Sequence, residues 1–117
     1  MPAIGTAFQV KGTGFHFWIV ISGPLNGKVL VVNLTDEEHN RDWTCRLAIS
    51  DYCALTKPSV IFYRKAEEWS ADKIDSELSS QERLKRLPDC PLNVVARIVA
   101  GAKVSEEFKR KLLIYLP

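Results

Sequence analysis

Among the side chains able to do chemistry, His16 has the most telling setting. It lies in an apolar, β-branched and aromatic run, Phe15 to Ser22, flanked by Phe15, Phe17 and Trp18. An imidazole there is either a half-buried, hydrogen-bonded structural group or an acid–base group aimed from a sheet into a cleft. Asn33 and Thr35 close the next apolar run, Lys28 to Leu34. If the two runs are hairpin partners turned at Asn26-Gly27, the head of one lies beside the tail of the other, so His16 and Thr35 share a rim. Thr35 followed by Asp36 reads equally well as a loop cap without chemistry. Lys57 and Ser59 flank Pro58 before another short apolar run. A lysine there either contacts a phosphate or stands in solvent ahead of a turn proline.

Other chemistries find less support. His39, Cys45 and Cys53 lack the Cys-x(2–4)-Cys or His-x(3–5)-His spacing of a metal site, so no metal is expected. No cysteine has a visible activating partner. There is no P-loop, Rossmann glycine pattern, Gly-x-Ser-x-Gly or His-Glu-x-x-His, which disfavours nucleotide-driven and serine-hydrolase chemistry and gives no sign of a cofactor.

The elements that must position these residues are mostly strands. Strands are expected over Ala3–Val10, Phe15–Ser22, Lys28–Leu34 and Ser59–Tyr63, with a weaker one over Trp43–Ile49. Turns are expected at Lys11–Gly14, Gly23–Gly27 and Ser50–Cys53, and a solvated loop over Thr35–Asp42. Glu67 to Glu77 reads as an acidic surface helix or loop. After residue 78 the period changes. Ser79 and Glu82 form a capping box ahead of Leu84 and Leu87, which predicts a helix ending at Pro88. Pro91 starts a second helix carrying Leu92, Val95, Ile98 and Val99, with Gly101 as its C-cap. Ser105 caps a third, with Phe108, Leu112 and Tyr115 inward. Strands first and helices after predict an α+β fold, a small antiparallel barrel or sandwich with helices packed outside. Trp18, Val20, Val29, Val31, Leu47 and Val60 are the expected core.

Composition sets the outer limits. The 117 residues suit a single domain. At 46% hydrophobic and 26% charged, the chain is neither disordered nor low-complexity. A net charge of +2 permits a polyanionic partner without demanding one. Three cysteines are an odd count, which argues for reduced thiols rather than a disulfide framework. The start carries no signal-peptide pattern, and the longest apolar stretch, Phe15 to Ile21, is too short to span a bilayer. A cytoplasmic protein without a membrane partner is expected.

The order of these signals resembles the MazF/PemK/Kid family of toxin endoribonucleases. Gly5-Thr6-Ala7-Phe8 resembles that family's opening Gly-Asp-Val-Tyr strand. Phe17 to Ser22 resembles its second strand, an Arg-Pro followed by an apolar run ending in Ser. Val31-Val32-Asn33-Leu34-Thr35 resembles its third, ending in Thr or Ser, and Ser59-Val60-Ile61 a later Ser-Ile-Asp strand. The likeness covers roughly residues 4 to 63. The chain is similar in particular to PemK-like proteins with a His-aliphatic-Trp-Val-Ile-Ser strand and a Val-Asn-Leu-Thr strand.

The resemblance implies an SH3-like β-barrel, a homodimer, a cognate antitoxin partner and metal-independent cleavage of single-stranded RNA. In that reaction a 2′-hydroxyl attacks its own phosphate. It needs a base, an acid for the leaving 5′-oxygen, and donors around the phosphorane. By position His16 and Thr35 fall where the family carries its phosphate-serving Arg and Thr or Ser, and Asn33, Lys57 and Ser59 would bind substrate. The chain also departs from the pattern. His16 replaces the Arg and Phe17 the following Pro, the loop between the first two strands is cut to about Lys11–Gly14, and the Pro before the third-strand Thr is missing. These departures motivate a second expectation, a non-catalytic barrel that binds nucleic acid or a protein partner, as an accessory protein of a phage or of phage defence.

Overall fold

The computed structural model describes residues 1–12 and 16–117, with His39 described by its backbone alone. The end of the expected Lys11–Gly14 turn and the expected strand start at Phe15 lie outside the described residues.

Among the described residues six strands form, five within or overlapping the expected runs and one further, β6: β1 (Ala7–Val10), β2 (Phe17–Val20), β3 (Lys28–Asp36), β4 (Arg46–Leu47), β5 (Ser59–Ser70) and β6 (Leu84–Leu87). They make one sheet in the order β4-β5-β3-β2-β1-β6, every pair antiparallel, curled into a half-barrel. The β2–β3 hairpin turns at Asn26 and Gly27, both at positive φ (53° and 77°). Two consecutive left-handed residues match the strand twist, which is why Asn-Gly marks this turn. The Ser22 hydroxyl fixes the same end of the hairpin by accepting from the Leu30 amide at 2.9 Å.

Both faces of the sheet are covered, so β3 is buried from Val29 to Leu34. Leu30, Val32 and Leu34 face one way, into a cluster with Ile19, Ile61 and Tyr63. There α2 (Leu92–Val104) inserts Val94, Val95, Ile98 and Ala102. Val29 and Val31 face the other way, with Phe8, Trp18 and Val20. That side is covered by α1 (Ala71–Ser80) through Ala71, Ile74 and Leu78. All six expected core residues are buried. Among the described residues no helix is long and apolar enough to cross a membrane.

Several expectations are corrected. Leu84–Leu87 is a strand, not a helix: Leu84 pairs with Val10 and Leu87 with Ala7. The helix lies earlier, capped by the Ser70 hydroxyl, which accepts from the Lys73 amide at 3.3 Å. It ends at Gln81, which is left-handed (φ 56°) and turns the chain back towards β1. Gly101 is not a C-cap. It lies inside α2 beneath the Tyr63 side chain, and the helix ends at Ser105. The expected third helix is a 3-10 segment, Arg110–Tyr115, that buries Leu112. Finally, β5 does not stop at Tyr63. A wide bulge sets Tyr63, Arg64, Lys65 and Ala66 against Val32 alone, and the strand then resumes to Ser70.

Candidate functional site

The hairpin register brings the candidate rim together. The β2–β3 ladder ends at the Phe17–Leu34 pair, and His16 and Thr35 are the next residue on each chain segment, at the same end of the hairpin. His16 stands just before β2 and is exposed, which removes the reading of a buried structural imidazole. Thr35 is half-buried and pairs across β3–β5 with Val60; Asp36 pairs with Ser59. An exposed imidazole and a hydroxyl therefore lie at one end of the sheet, on the face whose other end α1 covers.

The expected substrate-binding residues differ in what they can offer. Lys57 is at this rim, but its Nζ lies 2.7 Å from Asp36 Oδ2. That hydrogen bond holds the ammonium charged above the ordinary lysine range. Ser59 is buried, and its hydroxyl donates to the Lys57 carbonyl at 3.1 Å, so it shapes the turn instead of meeting a ligand. Asn33 is 1% exposed. Its Nδ2 donates to the Phe17 carbonyl at 3.3 Å, while its Oδ1 is buried without a partner among the described residues.

Sequence reasoning missed three neighbours of the rim. Asp36, adjacent to Thr35, holds Lys57 and also accepts from the Glu38 amide at 3.0 Å. Arg46, cross-strand from Val60, pairs with Glu37 at 2.9 Å, and its guanidinium lies 4.3 Å over the exposed Trp43 ring. Phe62, opposite Asn33, is half-exposed with Lys65 Nζ 5.5 Å from its ring centre. The alternation of Ser59 to Tyr63 carried that last signal, since it sets Phe62 on the opposite face from Ile61 and Tyr63.

The cysteines offer no activated nucleophile. Burial pushes the Cys45 thiol up and the Cys90 thiol up to about 11. Cys53 is exposed. A separate cavity of about 390 Å³ opens between α1, β5 and β6, walled by Trp69, and none of the expected site residues lines it. Its carboxylates are engaged: Glu67 accepts from Trp69 Nε1 at 2.7 Å and Glu77 meets Arg83 at 3.5 Å. Comparison with family models, with curated proteins and with solved structures finds no match.

Proposed function

We propose that the chain is a metal-independent endoribonuclease of the toxin type, acting on single-stranded RNA at the His16–Thr35 rim. The observation that supports this is the end of the β2–β3 ladder at Phe17–Leu34, where exposed His16 and half-buried Thr35 follow on the two segments and the Asp36–Lys57 pair stands beside Thr35. In this reading the half-barrel is an SH3-like barrel of the MazF/PemK kind. His16 takes the 2′-hydroxyl proton, the 2′-oxygen bonds to phosphorus as the bond to the 5′-oxygen breaks, and the leaving 5′-oxygen takes a proton from solvent water. The products are a 2′,3′-cyclic phosphate and a 5′-hydroxyl. The Thr35 hydroxyl donates to a non-bridging oxygen, and Lys57 supplies charge when phosphate displaces Asp36. A cytoplasmic setting, a cognate antitoxin and a homodimer belong to the same reading.

One observation favours the alternative, a non-catalytic barrel that binds nucleic acid or a protein. Two cations near the rim, Lys57 and Arg46, are each held by a carboxylate. Incubating the protein with defined single-stranded RNAs in EDTA, and analysing the product ends, separates the two. Cyclic-phosphate ends that need His16 support the ribonuclease. RNA that is bound but stays intact supports the binder.

A further inference from the structure

Asn33 is a poor choice for packing alone. Its same-face neighbours on β3 are Val31, fully buried, and Thr35, half-buried, whereas Asn33 buries an acceptor with no hydrogen-bond partner among the described residues. An apolar residue of similar size would avoid that desolvation cost. A buried group left unpartnered in this way calls for an explanation, and a bound hydrogen-bond donor is one.

Its surroundings say which ligand. Asn33 stands between Trp18 on β2 and Phe62 on β5, two residues along the strand from Thr35 and on the same face. The bulge that follows Phe62 keeps Tyr63 and Ala66 buried while turning Arg64 and Lys65 outward. Bulges bend a strand and re-aim its side chains in this way. The outcome is a half-exposed aromatic ring with a lysine over it, next to an orphaned acceptor and within one nucleotide of the rim.

We infer that Asn33, Phe62 and Lys65 form a ribonucleotide subsite adjoining the His16–Thr35 rim. Phe62 stacks a base, Lys65 meets the phosphate, and Asn33 Oδ1 accepts a hydrogen bond from a ribose 2′-hydroxyl. The Asn33 amide nitrogen is already committed to Phe17, so the free oxygen can only accept and selects a donor. The 2′-hydroxyl is the donor that RNA has and DNA lacks. Phe62 pairs with Asn33 across the strands and is half-exposed, so in the bound state its ring turns towards solvent, where it stacks the base and uncovers the acceptor for the ribose. The inference rests on the RNA reading above but does not need cleavage.

The test is fluorescence anisotropy of the full chain with a fluorescein-labelled, mixed-sequence RNA octamer, the matching DNA, and the matching 2′-fluoro oligonucleotide, on ice in EDTA. A denaturing gel of the same samples reports cleavage. RNA that is bound but intact therefore counts against the ribonuclease alone. The wild type should bind RNA about tenfold more tightly than either analogue. Asn33→Leu should abolish that preference with an unchanged or higher Tm. Phe62→Ala should weaken all three by about tenfold and leave the ratios intact. The subsite is overturned if the wild type binds no RNA or does not prefer it, or if Asn33→Leu keeps the preference. Should Asn33→Leu not fold, full affinity in Phe62→Ala overturns it instead.

Discussion

The Lys57 ammonium and the Asp36 carboxylate meet at 2.7 Å across the end of β3, one residue from Thr35. Asp36 is the more enclosed partner, its side chain 13% exposed against 48% for Lys57. The carboxylate caps the following 3-10 turn with one oxygen and holds the cation with the other. The rim thus carries its own counter-ion, which in the proposed ribonuclease a substrate phosphate would displace.

Asp36→Asn keeps a side-chain acceptor for the turn and removes the carboxylate charge that pairs with Lys57. RNA affinity should rise about three- to tenfold, and the salt dependence of binding should steepen by about one phosphate contact. Anisotropy titrations at several salt concentrations measure both. An unchanged affinity would remove Lys57 from the substrate site.

Gly101 is required by packing, not by backbone conformation. A methyl group there would fall on the Tyr63 hydroxyl and lie 3.3 Å from Cys45 Cβ. Alanine would gain about 1 kcal/mol in helix propensity. Overpacking costs about 1–3 kcal/mol, so Gly101→Ala should destabilise on balance. Tyr63→Phe loses the hydroxyl's hydrogen bond to the Ile98 carbonyl at 2.7 Å, a cost of about 1 kcal/mol, but it opens the space. In urea unfolding the double variant should lose less than the sum of the two single losses. Strict additivity would contradict the contact.

All three tyrosines have phenols raised above their ordinary value. Burial is the leading cause in each; Tyr115, raised to about 12, also donates to Glu68 at 2.6 Å. The folded state therefore holds these protons at pH values where the unfolded chain releases them. Their contribution to stability is fully present below the ordinary tyrosine pKa of about 10 and is lost as pH rises towards the folded values. The buried Cys45 and Cys90 thiols are raised too, so unfolding midpoints should be level to about pH 8, fall above it, and fall more steeply past about pH 10 as the tyrosines join. Phenolate absorbance should appear late, together with loss of the far-UV signal. A phenolate midpoint near 10 in protein that is still folded would contradict these environments.

The β2–β3 hairpin and its rim were legible because Asn26-Gly27 fixes the turn, and the turn fixes which residues oppose each other. The second half of β5 was not. Arg64 to Ser70 is polar and continues a strand only because the bulge lets it rejoin β3. Leu84–Leu87 misled for a local reason. Two leucines three apart after a Ser-x-x-Glu look helical, and only pairing with β1 makes them an edge strand. Of the candidate site, the shared hairpin end of His16 and Thr35 follows from the turn and the pairing up to Phe17–Leu34. The Asp36–Lys57 pair and the unpartnered Asn33 oxygen depend on tertiary placement, which residue type and spacing do not encode.

The central claim is that the His16–Thr35 rim cleaves RNA, and the rate of cleavage by wild type and His16→Ala tests it most directly. Both would be followed on one defined single-stranded RNA in EDTA, with the product ends identified. The account predicts 2′,3′-cyclic phosphate and 5′-hydroxyl ends from the wild type, and a rate about 10²–10⁴-fold lower for a folded His16→Ala. RNA left intact by the wild type, or cut equally fast by the variant, would contradict it.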